Sequence, residues 1–226
     1  MTSSRVEAEL KYTAITDRPL QELERAEVLG PARLGVPSTV AEVDRYLDTA
    51  DLRLAAAHWA CRLRSRDGRT IVSLKGPAEH RPGDLLHLRP EVEGPADADL
   101  EAPAWPPSLA RDQLLAMAAG ASLVERFSLE QERTERGVTV EGTRIGGLSL
   151  DRVRVMHHQS EIGRMTIVEL ELDPAALEQG LDHAPLALAL SAVDGLLPDP
   201  RSKFERALAM LPQPDPGVSR QAEGGG

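Results

Sequence analysis

Residues 6–12 read VEAELKY. In an extended chain successive side chains point to opposite faces. Glu7, Glu9 and Lys11 therefore share one face, and Val6, Ala8, Leu10 and Tyr12 the other. The apolar face has an evident use against a core. The charged face places two carboxylates one strand-step apart, where they repel, and adds a base to the row.

The same kind of row recurs along the chain. CRLR puts Arg62 and Arg64 on one face, SLKG supplies Lys75, and HLRPEVEG aligns Arg89, Glu91 and Glu93. VERFS offers Arg126, and VELEL sets Glu169 and Glu171 opposite Val168, Leu170 and Leu172. On a single strand, alternating charge is the ordinary solvent face of a half-buried sheet. Repeated over several strands, with Glu-x-Glu on the first and last and bases between them, it favours another arrangement. The charged faces then point inward and line a tunnel, and the apolar faces pack outward.

The intervening segments agree with a mainly antiparallel fold. The pattern predicts strands at 5–12, 39–49, 84–94 and 165–172, and a hairpin in which HWACRLRS and RTIVSLKG turn at Asp-Gly. Residues 122–136, GVTVEG and GLSLDRVRV read as three further strands. Helices are expected over 18–30, 108–120, from DPAALEQG through 184–197, and at 201–210. Strands outnumber helices and no βαβ alternation appears, so the expected class is α+β or mainly β: an antiparallel barrel with helices packed outside.

With 226 residues, 41% of them hydrophobic and 27% charged, the chain can bury one domain core. That domain is expected over 1–211, with a disordered Pro/Gly-rich tail over 212–226. No apolar run is long enough to span a bilayer, and MTSSRVEAEL lacks the apolar centre of a signal peptide. Cys61 has no cysteine to pair with, which fits a reducing cytoplasm. A formal charge of −10 argues against nonspecific nucleic-acid binding, although an acidic shell can enclose a basic interior. No membrane or nucleic-acid partner is expected.

Four carboxylates gathered in a cavity repel unless a divalent cation neutralises them, and hard oxygen ligands suit Mg²⁺ or Mn²⁺. Lysines and arginines across from them would hold phosphate oxygens. A phosphate chain meets both demands.

Glu7-x-Glu9-x-Lys11 resembles the ExExK signature of the CYTH superfamily, the triphosphate tunnel metalloenzymes. YLDTADLRL (46–54) is similar to the family's Tyr-x-Asp-Thr segment, CRLR and SLKG to its basic hairpin, and RPEVE to its Arg-x-Glu-x-Glu strand. VELEL resembles its late Glu-x-Glu strand, and RSKFERAL its C-terminal Ser-Lys-Phe segment. The matches run in family order from residue 5 to about 211.

The resemblance implies an eight-stranded antiparallel barrel open at both ends. It implies that Glu7, Glu9, Glu169 and Glu171 hold one or two divalent metals, Mg²⁺ or Mn²⁺. Lys11, Arg62, Arg64, Lys75, Arg89, Arg126 and Lys203 would grip a triphosphate-containing small molecule or inorganic polyphosphate. Glu91 and Glu93 would be further tunnel acids, Asp48 would brace the segment after the second strand, and Asp151 would orient a base. Glu7, Glu9 and Lys11 would be the catalytic group of a stand-alone cytoplasmic triphosphatase, monomeric or homodimeric. The alternatives are a class IV adenylate cyclase, a thiamine triphosphatase, or a noncatalytic sensor that binds polyphosphate.

One strand departs from the pattern. The face of Arg126 continues as Ser128, Glu130 and Glu132, while Arg133 has the opposite parity. An inserted residue would bring Arg133 inside. His157 and His158 with Glu161 read as a surface turn, and Trp59 and Trp105 as packing residues.

Overall fold

A computed structural model describes residues 3–80 and 83–212. The charged alternation of the opening stretch belongs to β1 (Ser3–Ala14), which is followed by α1 (Arg18–Arg25) and the short strands β2 (Val28–Leu29) and β3 (Ala32–Leu34). β4 (Ser38–Thr49) runs through α2 (Arg53–Ala56) into the hairpin of β5 (Ala60–Arg66) and β6 (Arg69–Lys75). β7 (Glu79–His80) precedes β8 (Leu86–Pro95) and α3 (Leu109–Ala118). The long strands β9 (Leu123–Val140), β10 (Thr143–His157) and β11 (Ser160–Leu172) follow. The described chain closes with α4 (Pro174–Glu178), α5 (Ala184–Ser191), β12 (Leu196–Pro198) and α6 (Lys203–Leu208).

Eight of these strands pair antiparallel in the order β10-β11-β1-β8-β6-β5-β4-β9, and β9 pairs back to β10. The sheet is thus a closed eight-stranded barrel, which leaves its long strands no free edge. β2, β3, β7 and β12 are short additions to its rim.

Local chemistry accounts for the connections. Asp67 and Gly68 both adopt positive φ, 50° and 72°, which the two-residue turn between β5 and β6 requires. Asp173 caps α4 by accepting from the Ala175 N–H. Ser202 and Glu205 form a reciprocal capping box on α6.

Two expectations about elements change. The helix expected over 18–30 stops at Arg25, and residues 28–34 form the β2–β3 hairpin instead. The separate strands expected at 122–136 and GVTVEG are one: Gly137 continues β9 opposite Gly147, and the chain reverses at Glu141 and Gly142. Most of the tail expected to be disordered lies outside the described residues.

Apolar burial occurs on both sides of the wall. Outside, Leu10, Tyr12, Leu148 and Leu170 pack with Leu20 of α1 and Leu186 and Leu190 of α5. On another side Leu63, Leu74 and Val92 pack with Leu114 of α3 and with Trp105, which is fully buried. A third cluster occupies part of one end of the lumen. Phe127, Leu129, Val153, Val155, Met165 and Ile167 lie there under Phe204 and Ala207 of α6. So α6 does not pack outside like the other helices; it sits over part of one barrel end. Among the described residues no helix is long and apolar enough to cross a membrane.

Candidate active site

The lumen contains a cavity of about 1340 Å³ that reaches both ends of the barrel. Strand alternation builds its wall: Arg5, Glu7, Glu9 and Lys11 come from β1, Arg62, Arg64 and Arg66 from β5, and Lys75 from β6. His87, Arg89, Glu91 and Glu93 come from β8, Arg133 and Glu135 from β9, and Glu169 and Glu171 from β11. Lys203 enters from α6. All the residues expected in the site therefore line this cavity except Arg126.

The exception has a geometric cause. Tyr46 of β4 pairs with Phe127 while Leu47 pairs with Glu125, so Arg126 is an extra residue without a partner in that ladder. Such a bulge reverses facing beyond it. Gln131, Arg133 and Glu135 turn inward, while Glu130 and Glu132 lie outside, paired with Arg154 and Arg152. Arg126 acts electrostatically on His157.

Carboxylates and bases answer one another around the wall. Glu7 accepts from Lys75 and Arg89, each at 2.6 Å. Arg89 also donates to Glu9 at 3.0 Å, and Lys11 lies 3.0 Å from Glu9. Glu91 is 2.9 Å from Arg5 and 3.1 Å from Lys75. Glu93 accepts from Ser73 at 2.7 Å. Glu169 accepts from Lys203 at 2.7 Å and lies 3.5 Å from Arg133, and Glu171 is 2.9 Å from Arg5.

Two fully buried aspartates act behind this surface. Asp151 binds Arg133 through both oxygens, at 2.7 and 3.0 Å, and accepts from Lys203 at 2.5 Å. Asp44 holds Arg64 in a two-point contact, both bonds at 2.7 Å, and takes a bond from Gln131. Each guanidinium is thereby fixed in orientation, which a planar fork permits and an ammonium does not. Asp44, with its neighbour Glu42, Arg5, Arg66 and His87, was not among the residues expected from sequence.

These contacts set the protonation states. Burial alone would raise Glu7, but Lys75 and Arg89 more than offset it and hold its carboxyl below the usual range. Asp44 is lowered in the same way by Arg62 and Arg64 against burial, and Asp151 by Lys203 and Arg133. Glu171 moves the other way: burial raises it, Arg5 only partly compensates, and Glu7 adds to the rise. It stands directly across from Glu9 in the β1–β11 ladder.

The remaining candidates resolve simply. Asp48 accepts from the N–H groups of Thr49, Leu54 and Ala55 and so fixes the turn into α2. Trp105 packs outside and donates to Asp99, whereas Trp59 lines one mouth of the cavity besides packing on the outer cluster. His157 and His158 touch at a turn, ring centroids 4.0 Å apart, and Glu161 pairs with Arg164 instead. Cys61 is buried, and burial pushes its thiol pKa up.

A family model described as the CYTH domain matches residues 6–206. No curated protein matches the chain. Among solved structures, a protein from Hippeastrum, provisionally named an adenylyl cyclase and described as having a dominant triphosphatase activity, superposes with a TM-score of 0.66. It is 20% identical, with 92% of this chain and 98% of that one covered. A Bacillus halodurans protein provisionally named an adenylate cyclase gives 0.57 at 19% identity, covering 89% and 97%. A protein from Pyrococcus horikoshii gives 0.50 at 15% identity, covering 89% and 98%. At these identities the likeness concerns the fold.

Proposed function

This chain belongs to the CYTH domain family, and on that premise we propose that it hydrolyses the terminal phosphoanhydride bond of a triphosphate, inorganic triphosphate first. One observation carries the reading. A chain of formal charge −10 gathers Arg62, Arg64, Arg89, Arg133, Lys11, Lys75 and Lys203 around the one cavity of the barrel lumen. Such a density of cations within low-dielectric walls suits a linear polyanion.

The acids suit a divalent cation. Glu9 on β1 stands opposite Glu171 on β11 in register, Lys11 stands opposite Glu169, and Glu7 follows one strand-step beyond Glu9. Like charges so placed are unfavourable, and burial raises Glu171 with Arg5 only partly compensating. Among the described residues no three carboxylates already converge as a metal cluster, because each is turned toward a base. The donor chemistry nevertheless fits Mg²⁺ or Mn²⁺, which Glu7, Glu9, Glu169 and Glu171 would hold. A divalent cation there supplies Lewis-acid polarisation of a phosphoryl oxygen.

The bases do the rest. Arg62, Lys75 and Arg89 leave their carboxylates for phosphate oxygens and hold the chain along the lumen. Lys11 and Lys203 stabilise charge on the transferred phosphoryl group and on the leaving pyrophosphate. Water attacks the terminal phosphorus in line, the P–O anhydride bond breaks, and orthophosphate and pyrophosphate result. Asp151 and Asp44 keep Arg133 and Arg64 aimed throughout.

The test is incubation with inorganic triphosphate, ATP and thiamine triphosphate in Mg²⁺ or Mn²⁺, measuring phosphate and cyclic AMP. Phosphate from inorganic triphosphate without cyclic AMP is expected. Cyclic AMP from ATP would make the protein a cyclase, and preference for thiamine triphosphate would move the substrate. Binding with no product at all would leave a noncatalytic sensor.

A further inference from the structure

Arg5 opens the inward-facing row of β1, two residues before Glu7, and has no part in the proposed hydrolysis. It stands opposite Glu91 in the β1–β8 ladder. Its Nε and Nη2 donate to Glu91 Oε2 at 3.2 and 2.9 Å, and its Nη1 lies 2.9 Å from Glu171 Oε1. One guanidinium thus spans carboxylates from β8 and β11, the two neighbours of β1 in the barrel. Arg5 lines the cavity, yet its side chain is 39% exposed, so water reaches the bridge that it makes.

Glu171 differs from the other acids of the wall in depending on this bridge. Glu7 has both Lys75 and Arg89, Glu9 has Lys11 and Arg89, and Glu169 has Lys203 and Arg133. Glu91 stays paired with Lys75 whether or not Arg5 is present. Among the described residues Arg5 is the one base within ion-pair distance of Glu171. Glu7 and Glu91 meanwhile act on Glu171 as like charges. With Arg5 gone, Glu171 would be left as the acid most in need of a cation.

We infer that Arg5 is an internal competitor for the metal: its guanidinium holds the Glu171 carboxylate as a tethered cation and must release it before Glu171 ligates Mg²⁺ or Mn²⁺. This rests on the reading of Glu171 as a metal ligand, and so on the proposed function. The two cations make incompatible demands on one carboxylate. The guanidinium uses its oxygen to accept a hydrogen bond, and a divalent ion needs the same oxygen bare. A pair that water reaches is weak enough to be displaced, so Arg5 tunes metal affinity without abolishing it. It sets the divalent-cation concentration at which the site fills. Lysine at this position keeps the charge, but a compact ammonium cannot span both carboxylates as the planar fork does.

The test is titration of the whole protein with Mn²⁺ in the absence of triphosphate, followed by the paramagnetic resonance signal of the free ion. Arg5→Gln should tighten Mn²⁺ binding roughly five- to tenfold, the weight of a half-exposed charge pair. Arg5→Lys should tighten it about threefold, because the charge remains and the bridge is lost. Adding Glu171→Gln to Arg5→Gln should remove the gain. Equal or undetectable binding in wild type and Arg5→Gln would overturn the inference. So would a gain that survives Glu171→Gln, or an Arg5→Lys protein that matches wild type while Arg5→Gln binds more tightly, since net charge alone would then explain the effect. Phosphate release from inorganic triphosphate is scored separately. Its absence in wild type would sink the proposed function, whereas hydrolysis accompanied by equal Mn²⁺ affinities would sink only the role of Arg5.

Discussion

Lys203 Nζ lies 2.7 Å from Glu169 Oε2, so the last described helix is tied by charge to the acidic wall of the barrel. The same ammonium holds Asp151, which is completely buried. Lys203→Ala should therefore cost more than a substrate contact. Removing one partner of a buried pair typically costs about 3–5 kcal/mol. Asp151 keeps Arg133, so about 2–3 kcal/mol is expected by urea denaturation, together with at least a tenfold rise in KM for inorganic triphosphate. A variant with wild-type stability would show that Lys203 does not anchor α6.

Glu9→Gln keeps the size of the side chain and removes its charge. Divalent-cation affinity should fall, and metal-dependent phosphate release should drop by about 100-fold or more. Melting temperature should move by no more than a few degrees. Full turnover in this variant would refute the assignment of Glu9 to the metal.

Acid should unfold the protein through its lumen. Glu7, Asp44, Glu91, Asp151 and Glu169 are all held below the ordinary carboxylate range by neighbouring bases, against burial. For a lowered acid the folded state binds its proton more weakly than the unfolded chain. Its stabilisation is thus complete above the unfolded value, roughly 4, and is lost as pH falls toward the folded one. Glu171, raised, contributes with the opposite sign. Five groups against one predict a fall of about 10 °C or more in melting temperature between pH 6 and pH 3. A flat profile over that range in calorimetry would contradict these charge states.

Arg136 is buried without a carboxylate and donates to the carbonyls of Leu23, Glu24 and Ala26 at the end of α1, and to those of Leu34 and Gly35. Burial lowers its pKa. Lysine cannot reach five acceptors with a fork. Arg136→Lys should destabilise by about 2–3 kcal/mol in urea and speed amide exchange in residues 18–34. Uniform exchange across the barrel would mean the arginine does not staple that segment.

Much of the lumen was readable because facing in a strand needs only counting. Glu7, Arg62, Lys75, Arg89 and Glu169 sit in runs without irregularity between the residue quoted and its neighbours, so alternation alone placed them on one wall. Glu42 and Asp44 carry the same two-residue spacing as Glu7 and Glu9, but Arg45 on the outer face, paired with Glu125, blurs the contrast between the two sides of β4. The apolar end of the lumen was hidden for a different reason. Val153 and Ile167 share the inward parity of Asp151 and Glu169, and a charged face gives no notice of where along a strand its charge stops. The early end of α1 was hidden because its terminal carbonyls are satisfied by Arg136, more than a hundred residues away in sequence.

Arg133 depended on a feature that no composition reveals, the unpaired Arg126. Its consequence is genetic. Loss of that single in-frame codon would join Glu125, opposite Leu47, directly to Phe127, opposite Tyr46, so alternation would run unbroken and every later residue of β9 would keep its face. Loss of the Ser128 codon instead forces a choice: either Glu130 and Glu132 turn into the lumen and Arg133 out of it, or Arg126 fills the gap and Phe127 leaves its stack on Tyr46. Missense change or deletion at Arg126 should therefore be borne easily, whereas deletion of Ser128 should disable the tunnel.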